Sequence, residues 1–113
     1  MCAAPGGKSI QIADTGVELL ISNELNPSRR KALKSNLERC GIWNSTITAY
    51  DGRIIGHLLS EQCDKVLLDA PCSGEGMQYK SDFKIYQRKE KSVKKIAHLQ
   101  KELLISGLQA LKV

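Results

Sequence analysis

A carboxylate and a thiol lie three residues apart in the stretch LLDAPCSGEGM, as Asp69 and Cys72. A carboxylate can exchange protons with a substrate, and a thiolate can bond covalently to one, so the pair is suited to acid–base or covalent catalysis. Pro71 stiffens the loop between them, while Gly74 and Gly76 leave room for a ligand. These residues predict an active site.

A second loop that contains Gly and Pro occurs near the start of the chain, in the stretch APGGKS of residues 4–9. It does not fit the phosphate-binding loop, because Cys2 stands where that motif requires a glycine. The G-x-G-x-x-G fingerprint of dinucleotide-binding loops is also absent. The glycines would let a ligand approach the backbone, and a helix is predicted to begin directly after the loop. The alternative is a tight turn that binds nothing.

Three segments rich in apolar or β-branched residues are predicted to be strands, at residues 17–22, 45–51 and 64–71. They alternate with helices and lack hairpin turns, a pattern typical of an α/β fold with a parallel sheet. The loops that follow parallel strands meet at one edge of the sheet, where ligands bind. The acids predicted at this edge are Glu24, Asp51 and Asp69.

Two helices are predicted from capping residues and spacing. The first begins at Asn26 and Pro27 and ends at Gly41, and its inner face carries Leu33, Leu37 and Cys40. The second spans residues 93–111, and the apolar residues predicted to share its inner face are Ile96, Leu103, Leu104, Leu108 and Leu111.

Composition limits the classes of protein that fit. The length of 113 residues allows one domain, spanning residues 1–113, and the net charge of +5 suits a polyanionic partner. No apolar run or signal region predicts a membrane segment, so we expect a cytoplasmic protein. The four cysteines and two histidines lack metal-ligand spacing, so no metal site is predicted, and Cys40 and Cys63 are expected to be buried.

The acids at the strand ends have distinct predicted roles. Glu24 follows the first strand after the Gly-containing loop, where a carboxylate accepts hydrogen bonds from ribose hydroxyls. Asp51 on the neighbouring strand could accept a hydrogen bond from an adenine amino group. For either acid taken alone, a solvated loop position is the favoured interpretation.

The motifs CAAPGGKS, NEL, YDGR and LLDAPCSGEGM, in this order and spacing, resemble the Sun-type (NOL/NOP/Sun) RNA cytosine-5 methyltransferases, and the bacterial ribosomal-RNA members most. The resemblance implies a Rossmann-like class I methyltransferase core with a mainly parallel sheet. It also implies transfer of a methyl group from S-adenosylmethionine to C5 of a cytosine in rRNA, with tRNA as the alternative substrate.

The resemblance further implies roles for individual residues. Glu24 would hold the ribose of the cofactor, and Asp51, with Gly52 beside it, would lie by the adenine. Asp69 would contact both cofactor and cytosine, and Cys72 would assist release of the methylated RNA. The loop expected to wrap the methionine part of the cofactor consists of Cys2, Ala3, Ala4, Pro5, Gly6, Gly7 and Lys8.

The chain departs from the family pattern at both ends. The attacking cysteine of the family lies on a Thr-Cys segment beyond the position of Val113, and a strand normally precedes the first loop. We therefore expect a truncated catalytic domain that holds the cofactor-binding core without turnover. The alternative is a non-catalytic fragment that binds cofactor or RNA. A DNA methyltransferase that attacks through Cys72 is disfavoured by the CAAPGGK opening.

The basic stretch at residues 79–95 interleaves Lys and Arg with Tyr79, Phe83 and Tyr86. This pattern is compatible with a solvated face, and equally with an RNA contact in which Lys84, Arg88 and Lys89 track the phosphate backbone.

Overall fold

The computed structural model describes residues 1–72 and 90–113, with side chains from residue 93 onward in the second range. The motif residues Gly74 and Gly76 and most of the basic stretch 79–95 lie outside the described residues. The described elements are α1 (Gly7–Ala13), β1 (Leu20–Asn23), α2 (Pro27–Arg39), β2 (Ser45–Thr48), α3 (Ile55–Leu58) and α4 (Glu90–Ala110).

The two described strands form a parallel pair, as the alternation of strands and helices predicts. Leu20 pairs with Ser45 and Asn23 pairs with Thr48, and α2 makes the connection between the strands. Each strand is shorter than its predicted segment, and β1 also extends one residue past that segment, to Asn23. The described residues thus contain a β–α–β unit with α1 ahead of it and α3 and α4 after it, and both strands end at the same edge.

Helix α2 begins and ends where its capping residues predict. The Asn26 side chain accepts a hydrogen bond from the Arg29 N–H at 3.1 Å, and Gly41 follows the helix with a φ of +66°. The prediction that Cys40 is buried is wrong, because its side chain is exposed. The chain turns at Gly41, so Ile42 rather than Cys40 packs against the core.

The core lies between α2 and the loop that precedes α1. Ala4, Leu33 and Leu37 are buried, and Leu33 has no exposed surface. Gly6 has a φ of +109°, and a Cβ there would lie 2.9 Å from the Leu33 Cδ1 atom. A glycine is therefore needed for both the left-handed backbone and the close approach of the loop to α2. The half-buried side chains that complete this cluster are Ala3, Ile10, Ile42 and Ile47.

Helix α4 packs against α3 through a narrower face than the sequence predicts. Leu103, Ser106 and Ala110 are buried there, and the Ser106 hydroxyl accepts a hydrogen bond from the Gly56 N–H at 2.8 Å. Leu104 and Leu108 are exposed, so their predicted burial is wrong. They lie on an adjacent side of α4, which the described elements leave exposed.

The predicted strand at residues 64–71 is not a strand in the described structure. The segment instead lies beside the first residue: the Met1 amino group donates to the Leu67 carbonyl at 2.7 Å, and the Asp69 N–H donates to the Met1 carbonyl at 3.4 Å. Two hydrogen bonds to one residue do not make a ladder, and β1 and β2 pair with each other. Cys63, expected to be buried, is half-buried.

None of the helices in the described part of the chain is both long and apolar enough to cross a membrane.

Candidate cofactor and catalytic site

Glu24 connects the end of β1 to the Gly-containing loop. Its side chain is buried, with 4% of the residue surface exposed. The Oε2 atom accepts a hydrogen bond from the Ala4 N–H at 3.2 Å, and Oε1 accepts one from the Asn26 N–H at 3.0 Å. The carboxylate therefore fixes the loop and the start of α2 relative to the strand end. The predicted loop residues and Glu24 lie together.

Asp51 follows β2 at the same edge and is held by Arg53. The Arg53 guanidinium donates to both carboxylate oxygens, with its Nη2 atom 2.6 Å from Oδ2, and the Arg53 N–H donates to Oδ1 at 2.9 Å. The side-chain hydrogen bond, and after it the backbone one, lowers the pKa of Asp51 below its ordinary value. Asp51 is therefore an ionised acceptor whose orientation is set by the next turn of chain.

Asn23, which the sequence analysis did not select, joins the two strand ends. Its Nδ2 atom donates to the Tyr50 carbonyl at 2.9 Å, and its Oδ1 atom accepts from the Tyr50 N–H at 3.0 Å. The Thr48 hydroxyl also donates to Oδ1, at 2.8 Å. An asparagine at a predicted strand end, directly before an acid, was the available signal.

Asp69 lies near the same loop although the segment before it is not a strand. The Lys8 ammonium donates to Asp69 Oδ2 at 2.8 Å, and both side chains are more than half exposed. The pair brings the end of the LLDAPC stretch to the first turn of α1. An exposed ion pair contributes little stability, so its position matters more than its strength.

The cysteines of the two loops differ in their surroundings. Burial raises the pKa of the Cys2 thiol, which therefore stays neutral near pH 7. Cys72 is exposed, and the loop before it is held where the Gln100 side chain of α4 donates to the Pro71 carbonyl at 2.8 Å. Within the described range, no hydrogen bond joins Cys72 to the other predicted site residues.

A cleft of about 640 Å³ lies between α4 and the segments that follow β1 and β2. Gly52, which lies between Asp51 and Arg53 in the sequence, is buried, and a Cβ there would lie 2.6 Å from Leu103 Cδ2, so glycine permits the close approach of α4. Arg53 also lies 3.8 Å from Glu102 across the cleft. The cleft walls carry Leu25, Asp51 and Arg53 on one side and His98, Leu99 and Glu102 on the other.

The described residues contain no group of three or more His, Cys, Asp or Glu side chains that could hold a metal ion.

A parallel β–α–β unit, a Gly-containing loop and acids at the strand ends define a Rossmann-like methyltransferase core. The family model described as 16S rRNA methyltransferase RsmB/F matches residues 1–113, and the chain belongs to this family. This confirms the resemblance drawn from the sequence motifs.

Relatives and solved structures agree with this assignment. The chain is 46% identical over 112 residues to ribosomal RNA small subunit methyltransferase F of Vibrio vulnificus strain YJ016, covering 97% of this chain and 24% of that protein. It is 47% identical over 114 residues to the protein of that name from Vibrio campbellii, covering 97% and 23%. The chain thus spans about a quarter of the length of these curated relatives.

The similar solved structures have the same fold. The crystal structure of NSun6 from Pyrococcus horikoshii with SFG superimposes with a TM-score of 0.81 at 26% identity, covering 99% of this chain and 29% of that one. The crystal structure of PH0851 gives a TM-score of 0.83 at 30% identity, covering 98% and 26%.

Proposed function

We propose that this chain is the S-adenosylmethionine-binding part, residues 1–113, of the catalytic domain of an RNA cytosine-5 methyltransferase. The observation that carries the proposal is the buried Glu24 carboxylate, hydrogen-bonded to the Gly-containing loop at Ala4. Methyltransferases of the RsmB/F family use S-adenosylmethionine, and the similar NSun6 structure holds SFG, an analogue of it.

The residues around Glu24 fit the ribose and methionine parts of that cofactor. Each carboxylate oxygen accepts one backbone N–H, and an ionised carboxylate oxygen has a further lone pair for a ribose hydroxyl. The left-handed Gly6 backbone, where a side chain would meet Leu33, lets the loop pack closely against α2 and so fixes its position. The loop residues Cys2 to Lys8 would hold the methionine part, chiefly through backbone groups.

The cleft beyond Asp51 fits the adenine. Leu25 offers an apolar surface, and the ionised Asp51 carboxylate can accept a hydrogen bond from the adenine amino group.

The LLDAPC stretch would meet the target base. S-adenosylmethionine supplies the methyl group. Asp69, placed beside the loop by Lys8, would hydrogen-bond the cytosine ring, and Cys72 would assist release of the methylated RNA. The family description and the names of the relatives support ribosomal RNA rather than tRNA as the substrate. A substrate of this kind supports a cytoplasmic location.

Calorimetric titration of S-adenosylmethionine into the chain tests the cofactor half of this proposal. We expect Glu24→Gln to weaken binding about tenfold or more, because a charged acceptor for the ribose hydroxyls is lost and the amide NH2 group can no longer accept from one of the Ala4 and Asn26 N–H groups. The matched control is Glu38→Gln on α2, where the exposed carboxylate pairs with Lys34 at 3.7 Å. This variant should bind the cofactor like the unmodified chain.

Absence of binding by the unmodified chain would contradict the proposal that it binds this cofactor. Equal affinity in Glu24→Gln and in the unmodified chain would contradict the role assigned to Glu24 alone.

A further inference from the structure

Asn23 is a buried amide at the centre of the candidate site, with 3% of its surface exposed. Its side chain makes the three hydrogen bonds to Thr48 and Tyr50 described above. Its backbone carbonyl accepts a hydrogen bond from the Ala3 N–H at 2.9 Å. One residue therefore contacts both the Gly-containing loop and the segment that leads to Asp51.

The side chain of Asn23 continues the pairing of the strands past the point where the backbone ladder stops. The last backbone hydrogen bond runs from the Glu24 N–H to the Thr48 carbonyl at 3.0 Å. Tyr50 is 51% exposed, so packing does not fix it. Its N–H needs an acceptor and its carbonyl needs a donor, and a carboxamide supplies both from one position.

We propose that Asn23 is a positioning residue for the cofactor, which it does not itself contact. By holding Tyr50, it sets the position of Asp51 relative to Glu24 and the loop, and so the affinity for the adenosine part of S-adenosylmethionine. This inference rests on the proposed function.

Asn23→Asp provides the test, because a carboxyl group of the same shape can donate to the Tyr50 carbonyl only when it is protonated. Burial raises the pKa of the introduced carboxyl group above the ordinary value of about 3.9. We expect this variant to bind S-adenosylmethionine at least about tenfold more weakly at pH 8, and to regain affinity toward pH 5.

Other groups around Asn23 titrate or carry charge, so the unmodified chain is measured at both pH values and its change is subtracted. These groups are the Met1 amino group, the Cys2 thiol, Lys8, Glu24, Arg29, Arg30, Asp51, Arg53 and Asp69.

Asn44→Asp is the matched control. The Asn44 side chain donates to the Val17 carbonyl at 2.7 Å, at the opposite end of the same two strands. This substitution makes the same chemical change and loses a comparable hydrogen bond, but lies away from the loop and from Asp51. We expect no pH-dependent loss of cofactor affinity beyond that of the unmodified chain.

The outcomes separate the inference from the proposed function. Equal pH dependence in Asn23→Asp and in the unmodified chain, or the same loss in Asn44→Asp, would overturn the positioning role while cofactor binding stands.

A lack of binding by the unmodified chain would contradict the proposed function. Amide hydrogen exchange without ligand would then test whether Asn23 holds Tyr50 in place. In that measurement, Asn23→Ala should speed exchange of the Tyr50 amide about tenfold or more, and leave the Leu20 amide, which bonds to the Asn44 carbonyl at 2.8 Å, unchanged. An unchanged Tyr50 rate would overturn the inference.

Discussion

The three acids of the candidate site are held in three different ways, which suit three different tasks. Glu24 is buried and bonded to backbone N–H groups, so its position is rigid. Asp51 accepts hydrogen bonds from the Arg53 guanidinium, which lower its pKa and keep it ionised. Asp69 is exposed beside a single lysine, where a substrate can reach it. The rigid Glu24 would suit the ribose hydroxyls, and the oriented Asp51 would suit the adenine amino group. The accessible Asp69 would suit an incoming base.

Glu24 and Asp51 lie at the sheet edge and Asp69 lies beside the Gly-containing loop, while their roles stay predictions, and the groups that orient them were not predicted. Glu24 and Asp51 could be assigned because each follows an apolar segment. Asn23 and Arg53 were missed because their partners depend on the register of the two strands and on the turn after β2. Short-range patterns in a sequence carry neither kind of information.

At the scale of one residue, we predict that Arg53→Met raises the pKa of Asp51 toward its ordinary value of 3.8. Folding lowers this pKa, so the ionised carboxylate stabilises the fold above pH 3.8 and that contribution is lost as pH falls through the lowered value. Carbon NMR titration of the Asp51 carboxyl group measures the shift.

The control for this titration is Lys112→Met. Lys112 lies 2.6 Å from Asp64 and lowers the pKa of that carboxyl through a side-chain hydrogen bond. The control should raise the pKa of Asp64 and leave that of Asp51 unchanged. An Asp51 pKa that does not move in Arg53→Met would show that the guanidinium does not set it.

At the scale of elements, local chemistry predicted more than hydrophobic periodicity did. The boundaries of α2 follow from an Asn cap and a terminal Gly, which act on the nearest backbone groups. The prediction that Leu104 and Leu108 are buried was wrong, because periodicity identifies apolar positions but does not show which neighbour covers them. The prediction of a strand at residues 64–71 was wrong for the same reason, because a strand requires a partner along its length.

The contact between α3 and α4 depends on glycine, and we predict that Gly56→Ala separates them. A Cβ at Gly56 would overlap the Ser106 carbonyl oxygen and would lie 2.9 Å from the Gln109 Cβ. Forcing a methyl group into this contact should lower the free energy of unfolding by about 1–3 kcal/mol, measured by urea denaturation.

Gly107→Ala is the matched substitution on the other side of that helix pair. Its Cβ would lie 3.4 Å from Val66 Cγ1, an ordinary contact, and alanine is the better helix former. The free energy of unfolding should therefore stay the same or rise slightly. A loss in Gly107→Ala as large as that in Gly56→Ala would mean that helix packing does not discriminate between the two positions.

At the scale of the whole molecule, the site is connected to the small core. Leu33 of the core packs against the loop at Gly6, and Leu103 packs against Gly52, which lies between the cleft residues Asp51 and Arg53 in the sequence. Substitutions in the core would therefore disturb the site, so conservative replacements of polar site residues are the more informative tests. The net charge of +5 favours a polyanionic partner for the chain as a whole.

Action on RNA is tested with the protein expressed from its native gene, by methyl transfer from radiolabelled S-adenosylmethionine to 16S rRNA and to tRNA. We predict transfer to 16S rRNA, and a rate lower by about 100-fold or more in Asp69→Ala, because a group that would contact the reacting base is removed. Asp64→Ala is the control, since Asp64 is likewise an exposed aspartate paired with a lysine. Transfer to tRNA alone would contradict the proposal that rRNA is the substrate. An equal loss of the transfer rate in both variants would contradict a specific role for Asp69.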